Sequence, residues 1–451
     1  MNYKVDDCLF LTRANKSLMK LPFFLLALLI VQSSFSQNKF DYRSFTKKMC
    51  SPEFHGRGYV NKGDSIAAAY IAGQMNRLGI DSLSSGYFQP FHLDVNTFPD
   101  SCSIHINNEG LTPGVDYMID PTSNGTCLNA ICKGARNYDS KHIEVMDMRK
   151  LFEEDWDPNW WRNYDDETLY VIDNNVAEDS LSIYVHQMAQ NTSKYYDVIE
   201  LVNTKFTWSV RSTPQEHLYV QMKKNIFNSL NTEELNIQIH LHNTHLTNYA
   251  SKNVVGQIPA KKKAKGTIML TAHYDHLGRM GTATYFPGAN DNASGVAMLL
   301  QLGEMIKSRP LKRYNVLLVA FAGEEIGLLG SKHMSENPLC DLTTVRFLLN
   351  LDIMGSGEEG ITAVNGRVFT KEFKLLQKMN RRVKAVPVVK ARGKAANSDH
   401  YFFTEKGVRS FFIYTMGANK NYHDIYDTYE NLTFGSFEGL SVLFDSFLRR
   451  F

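Results

Sequence analysis

The chain lacks most of what would mark a nucleic-acid binder, a membrane protein or a disulfide scaffold. Its 451 residues carry 49 Lys and Arg against 47 Asp and Glu, a net charge of +2. So even a balance gives no electrostatic case for nucleic acid or for an acidic membrane surface. Cysteine is sparse, at 6 residues, and no pair has the CxxC spacing of a thiolate zinc or redox site. There is no internal repeat and no low-complexity tract. After residue 31 no segment is apolar enough to cross a membrane.

What is present is ordinary globular composition, 43% hydrophobic and 21% charged, in a chain long enough for one large domain or two. Residues 21–31 (LPFFLLALLIV) form an apolar run of signal-peptide length, with Lys20 as a positive flank. Small residues at Ser34 and Ser36 place the expected cleavage before Gln37, and Met19 is an alternative start. No cysteine directly follows the run, so a lipid anchor is not expected; residues 1–36 are read as a signal peptide and the mature protein as exported, periplasmic or extracellular. That leaves Cys50, Cys102, Cys127, Cys132 and Cys340, an odd number, so at least one is free or pairs between chains. Cys127 and Cys132 are close enough to close a short hairpin loop in an oxidising compartment. The cysteines are read as structural.

The chain is organised around residues 267–352. Three apolar runs, 267–272 (TIMLTA), 315–321 (NVLLVAF) and 345–351 (VRFLLNL), are separated by helical segments. Runs of this kind are the mark of a buried parallel sheet. Just past their carboxyl ends stand His273, Asp275 and His276, then Glu324 and Glu325, then Asp352; a loop, PGANDNASG, carries Asp291 ahead of an apolar helix. In open α/β sheets the reactive site lies outside the carboxyl ends of the strands, so position and chemistry agree. The predicted fold is α/β, a mostly parallel central sheet with helices on both faces, built from residues 37–87 and 251–451. Residues 64–78 have helical periodicity and Gly79 is placed to cap them. Residues 88–250 change character, with short β-like runs at 103–106, 142–147, 169–172, 181–185 and 218–222, and an acidic, aromatic stretch holding Trp156, Trp160 and Trp161. They are read as an inserted, β-rich domain.

Histidines and carboxylates on consecutive strand ends suit a pair of metal ions sharing one carboxylate bridge. Asp291 fits the bridge, since it lies between Gly288 and a helix start with Gly295 allowing close packing. His273 is a neutral imidazole ligand, and Asp275, two residues on, is placed to accept the imidazole's other N–H. Glu324 and Glu325 are adjacent and so project differently, one toward a metal and one toward a water. Each carboxylate alone would be read as a solvated loop acid; the set on consecutive strand ends is not.

HYDHLG, GANDNASG, FAGEEIGLLGS, LNLDIMG, NSDHYFF and YHDIYDT occur in this order. Together they closely resemble the M28 family of co-catalytic zinc aminopeptidases, over residues 40–83 and again from 253 to the end. The resemblance implies two zinc ions per chain. His273 and Asp352 would hold one, Glu325 and His423 the other, and Asp291 would bridge them. Glu324 would be the general base and Asp275 the partner of His273. A cis peptide between Asp291 and Asn292 is implied as well, and His276, Ser398, Asp399 and His400 would lie beside the site. The implied activity is hydrolysis of N-terminal residues from peptides. A dipeptidase or carboxypeptidase of the same architecture, using the basic segment 381–394, is an alternative, as are a glutaminyl cyclase and a non-catalytic binding relative.

Overall fold

Strands that are apolar along their whole length must be covered on both faces, and the chain does this with helices. In the computed structural model, residues 39–83, 86–125, 135–148, 165, 167–174, 179–229 and 234–451 are described. The apolar run 21–31, Cys127, Cys132, Trp156, Trp160 and Trp161 lie outside them. Cys50, Cys102 and Cys340 are free thiols, and residues 42–451 form one compact unit.

In chain order, helices α1 (Tyr42–Met49) and α2 (Gly63–Arg77) lead to strands β1 (Asp81–Ser82) and β2 (Phe88–Thr97). Then come β3 (Cys102–Ile106), β4 (Glu109–Gly110), β5 (Tyr117–Ile119), β6 (Ala135–Asp139), β7 (Ile143–Asp147) and β8 (Leu169–Asp173). They are followed by α3 (Asp179–Thr192), β9 (Asp197–Val202), β10 (Tyr219–Lys223), α4 (Lys224–Asn228) and β11 (Asn236–Leu241). The long β12 (Thr244–Ile258) leads into β13 (Thr267–His273), a small ribbon of β14 (Arg279–Met280) and β15 (Thr284–Tyr285), and α5 (Ser294–Ser308). The remainder is β16 (Asn315–Phe321), α6 (Leu329–Glu336), β17 (Val345–Leu351), β18 (Gly360–Val364), α7 (Thr370–Val383), β19 (Val389–Ala391), α8 (His400–Glu405), β20 (Ser410–Met416) and α9 (Phe437–Leu448).

The main sheet runs β1-β12-β16-β13-β17-β20-β18-β19, with β2 paired to β12. Its centre, β16-β13-β17-β20, is parallel, and the antiparallel β12 and β18 flank it. Every residue of β13 is buried. Met269, Leu317, Val319, Phe321 and Leu348 pack under Met334 of α6 and Phe403 of α8. On the other face Phe347 meets Phe447 of α9, with ring centroids 5.5 Å apart. Each fully buried Leu, Val or Phe contributes about 1.5–3 kcal/mol, so the centre of the sheet is the rigid part of the molecule. Four parallel strands therefore present their carboxyl ends together along one edge.

Residues between β2 and β12 make two further sheets. One, β4-β3-β11-β6, is antiparallel throughout. The other, β5-β10-β9-β8-β7, is parallel from β7 to β10. Helix α3 crosses from β8 to β9 and buries Val185 and Ala189 against Tyr170, Ile172, Val198 and Tyr219. Residues 181–185, expected as a strand, lie inside this helix. Val185, Met188 and Ala189 recur at helical spacing, and that period overrides the β preference of a five-residue window. Strand β12 runs unbroken across residue 250: its first part pairs with β2 and its last five residues with β16. The residues between β2 and β12 are thus tied to the main sheet through β12.

Candidate metal centre

The predicted site residues meet at the carboxyl edge of the parallel strands. His273 ends β13, Asp352 follows β17, Glu324 and Glu325 follow β16, and His423 lies in the loop after β20. Asp291 sits at the tight turn before α5, where the Asp291–Asn292 peptide is cis.

Their atoms alternate in sign around Asp291. His273 Nε2 is 3.3 Å from Asp291 Oδ1 and 3.4 Å from Asp352 Oδ1. His423 Nε2 is 3.2 Å from Asp291 Oδ2 and 3.1 Å from Glu325 Oε2. Each oxygen of Asp291 thus faces a different histidine and a different second acid. Charge-assisted hydrogen bonds between nitrogen and oxygen run about 2.7–2.9 Å, and these separations are longer. They match instead the edge of a tetrahedron with bonds of about 2.0–2.1 Å to a zinc ion, an edge of about 3.3 Å. Asp352 Oδ1 is buried and makes no hydrogen bond, which a positive ion beside it would satisfy. Ligand atoms of His273, Asp291 and Glu325, and of His273, Glu324 and Asp352, cluster within 4.8 Å of one another. The donor set, imidazole and carboxylate without thiolate, suits zinc.

Burial disfavours a charged imidazole, yet Glu325 and Asp291 overcome it and lift His423 to about 11. Burial likewise opposes the charge on Glu325, and His423 and His276 outweigh it, holding that carboxyl at about 2. Glu324 goes the other way: burial, with Asp399, Glu325 and Asp352 nearby, raises it well above the usual range in spite of His273. The two adjacent glutamates thus differ in proton affinity, as an ionised ligand and an acid–base group would. Glu324 also keeps part of its surface exposed.

Asp275 does something other than expected. Its carboxylate is 3.8 Å from His273 Nδ1, too far for a hydrogen bond; its main-chain carbonyl is at 3.2 Å and takes the ring nitrogen instead. The carboxylate accepts the main-chain N–H groups of Glu324 at 3.2 Å and Glu325 at 3.3 Å. Asp275 therefore ties the glutamate turn to the end of β13, one strand over. His276 Nδ1 bonds Glu325 Oε1 at 2.7 Å, leaving the other oxygen toward His423.

Several residues with no assigned role hold the turn around Asp291. Arg57, fully buried, donates to the carbonyls of Tyr274 at 2.8 Å, Pro287 at 2.6 Å, Gly288 at 2.7 Å and Asp291 at 3.2 Å. The Asp427 carboxylate accepts the N–H of Asn290 at 2.9 Å and of Asp291 at 3.0 Å. Asn292 bridges Gly295 N–H, Ile353 N–H and the Leu351 carbonyl, lacing the turn to the end of β17. Gly288 has φ +57°, and a Cβ there would lie 2.3 Å from His276 Cδ2, so no other residue fits. Ser398 donates to Asp352 Oδ2 at 3.3 Å and accepts from Asn350 at 2.8 Å. The GANDNASG and YHDIYDT motifs thus supply supports as well as candidate ligands, and Arg57 and Ser398 supply supports alone. The basic segment 381–394 lies at the end of α7 and on β19, the outermost strand of the main sheet.

Residues 253–443 match the model of peptidase family M28. Aminopeptidase YwaD of Bacillus subtilis is 37% identical over 118 residues, 25% of this chain and 24% of that protein. A probable leucine aminopeptidase of Arthroderma otae is 30% identical over 198 residues, 40% of this chain and 52% of that protein. The chain thus matches about a quarter to a half of the length of these relatives. The solved structure of BSAP, a zinc aminopeptidase from Bacillus subtilis, superposes with a TM-score of 0.64 at 18% identity, covering 91% of this chain and 94% of that one. The fold is that of the M28 zinc aminopeptidases.

Proposed function

We propose that this protein is an exported, zinc-dependent aminopeptidase that holds two zinc ions per chain and removes N-terminal residues from peptides. The observation that carries the reading is the split of Asp291, with Oδ1 facing His273 and Asp352 and Oδ2 facing His423 and Glu325. His273, Asp352 and Asp291 would hold one ion, and His423, Glu325 and Asp291 the other. Zinc bound there would supply Lewis-acid polarisation of a scissile carbonyl and lower the pKa of a bound water toward neutrality.

The chain's own residues do the rest. Glu324, beside the ligand set without being needed to complete it, would take a proton from the attacking water and return it to the leaving amine. Asp275 fixes the Glu324–Glu325 turn through two main-chain N–H groups, so the base keeps its place. His276 orients Glu325. The surplus of carboxylates around the site favours a substrate's positive α-amino group over its α-carboxylate. Export is supported by the apolar run at 21–31 with small residues before Gln37.

Zinc-loaded protein incubated with peptides blocked at one end or the other tests the reading. N-acetylation should abolish cleavage and C-amidation should leave it intact. Cleavage that survives N-acetylation and is lost on C-amidation makes the protein a carboxypeptidase; cyclisation of N-terminal glutamine without hydrolysis makes it a glutaminyl cyclase.

A further inference from the structure

His423, unlike His273, Glu324, Glu325 and Asp352, neither ends nor directly follows a strand of the parallel sheet. It sits in the loop after β20 with φ +54°, a left-handed conformation uncommon for a residue with a side chain. Such a position persists only where neighbours over-determine it. The neighbour here comes from the insertion, 215 residues earlier in the chain. Trp208, between β9 and β10, accepts from His423 Nδ1 at 2.9 Å through its carbonyl and donates its own N–H to the His423 carbonyl at 2.8 Å. The first bond fixes the ring and the tautomer, leaving Nε2 to face Asp291 and Glu325.

Trp208 is itself clamped. It is 5% exposed, and its indole N–H donates to the Ile119 carbonyl at 2.7 Å. Its ring stacks on Phe286 at 4.5 Å with the planes 14° apart, and Phe286 opens the segment that leads to Asp291. Lys205, on the same strap, donates to the Lys420 carbonyl at 2.8 Å and pairs with the Asp424 carboxylate beside His423. The strap therefore touches both the His423 loop and the approach to Asp291, and so sets their spacing. His273 has no such need, because it ends a buried strand and its Nδ1 is met by Asp275 two residues on.

We propose that the strap of residues 205–208, through Trp208, is a positioning element of the metal centre that builds the His423–Glu325 half and leaves the His273–Asp352 half independent of it. These residues are then part of the metal site. This rests on the two-ion reading above.

Zinc titration of the metal-free full chain by calorimetry, with stability followed on the same samples, tests it. The wild type should bind in two steps. Trp208→Ala keeps both main-chain bonds to His423 but removes the indole clamp that places them. It should therefore weaken one step, by no more than the about 10–100-fold cost of losing a ligand's orienting partner outright, and leave the other unchanged. Lys205→Met, at a side chain 45% exposed and so compatible with folding, should weaken the same step by a smaller factor. Should Trp208→Ala fail to fold, Lys205→Met carries the test with Trp208→Phe, which keeps the ring stack and should lie close to wild type. His423→Ala should abolish that same step, and adding Trp208→Ala should then cost no further affinity. Wild-type affinity at both steps in Trp208→Ala and Lys205→Met, equal weakening of both steps, or a further loss in the His423→Ala background would overturn the proposal. Two intact steps in His423→Ala itself would sink the two-ion reading instead.

Discussion

Two regions of this molecule bury acids on a parallel sheet, and only one of them asks for a metal. In the insertion, Glu200 of β9 is fully buried but well supplied: Asn174 donates at 2.7 Å, His186 meets it at 2.8 Å, and the Tyr219 hydroxyl bonds it too. Asp197, on the same strand, takes the Leu218 N–H at 2.7 Å, the Tyr138 hydroxyl and the Arg136 guanidinium. Protein donors satisfy both carboxylates. At the metal centre, Asp352 Oδ1 makes no hydrogen bond, and Asp291 faces two histidines at separations too long for good ones. Burial of an acid is therefore not the sign of a metal site; unmet acceptor capacity among several acids is.

Substitutions should make this difference visible. The largest effect belongs to the centre. Glu324→Gln keeps the ligand set and removes the proton acceptor, so turnover should fall by about 10²–10⁴-fold while bound zinc stays at the wild-type level. Asp291→Asn should lose both activity and zinc. Measuring zinc and turnover on the same samples separates the two, and zinc loss from Glu324→Gln with full retention in Glu325→Gln would reverse the roles of the two glutamates.

Substitutions around Asp197 and Glu200 should respond in stability, with zinc content and turnover per folded molecule unchanged. Arg136 and Asp197 are each 9% exposed, and breaking such a buried pair from one side costs about 3–5 kcal/mol. Arg136→Met should therefore lower the unfolding midpoint in urea. A variant as stable as wild type would mean the pair is only a surface feature of that sheet.

A smaller effect is the pH dependence of the same pair. Burial pushes the Asp197 carboxyl up, but His217 and Arg136, with the Leu218 amide, outweigh it and hold it below the usual range. A carboxyl whose folded value lies below its unfolded one stabilises the fold above about pH 4, and that contribution fades as pH falls from there toward the folded value. The stability gap between wild type and Asp197→Asn should be full at neutral pH and narrow below about pH 4. A gap that stays constant down to pH 3 would contradict the assignment.

The same contrast explains what could be read from sequence. His273, Asp352 and the Glu324–Glu325 pair were legible because each follows an apolar run, and parallel strands force their ends to one edge. Asp291 was legible from its glycine-flanked turn. His423 could be named only through the YHDIYDT motif, since its loop has no periodicity, and its support by Trp208 spans 215 residues that no local pattern links. Arg57 has no local pattern that marks it; its four carbonyl partners around β13 and the Asp291 turn exist only in three dimensions. Asp275 was placed correctly, but its carboxylate serves the next strand's glutamates, because extended backbone brings its carbonyl nearer to the imidazole than its side chain. In the insertion, short apolar windows could not separate strand from helix, and residues 181–185 fell on the helical side.

The central claim is that two ions share Asp291, and anomalous diffraction at the zinc edge from zinc-soaked crystals tests it most directly. The account predicts two peaks, one among His273, Asp352 and Asp291 and one among His423, Glu325 and Asp291, with none at Glu200 or Asp197. A single peak at full occupancy under saturating zinc, or a second peak away from Asp291, would contradict it.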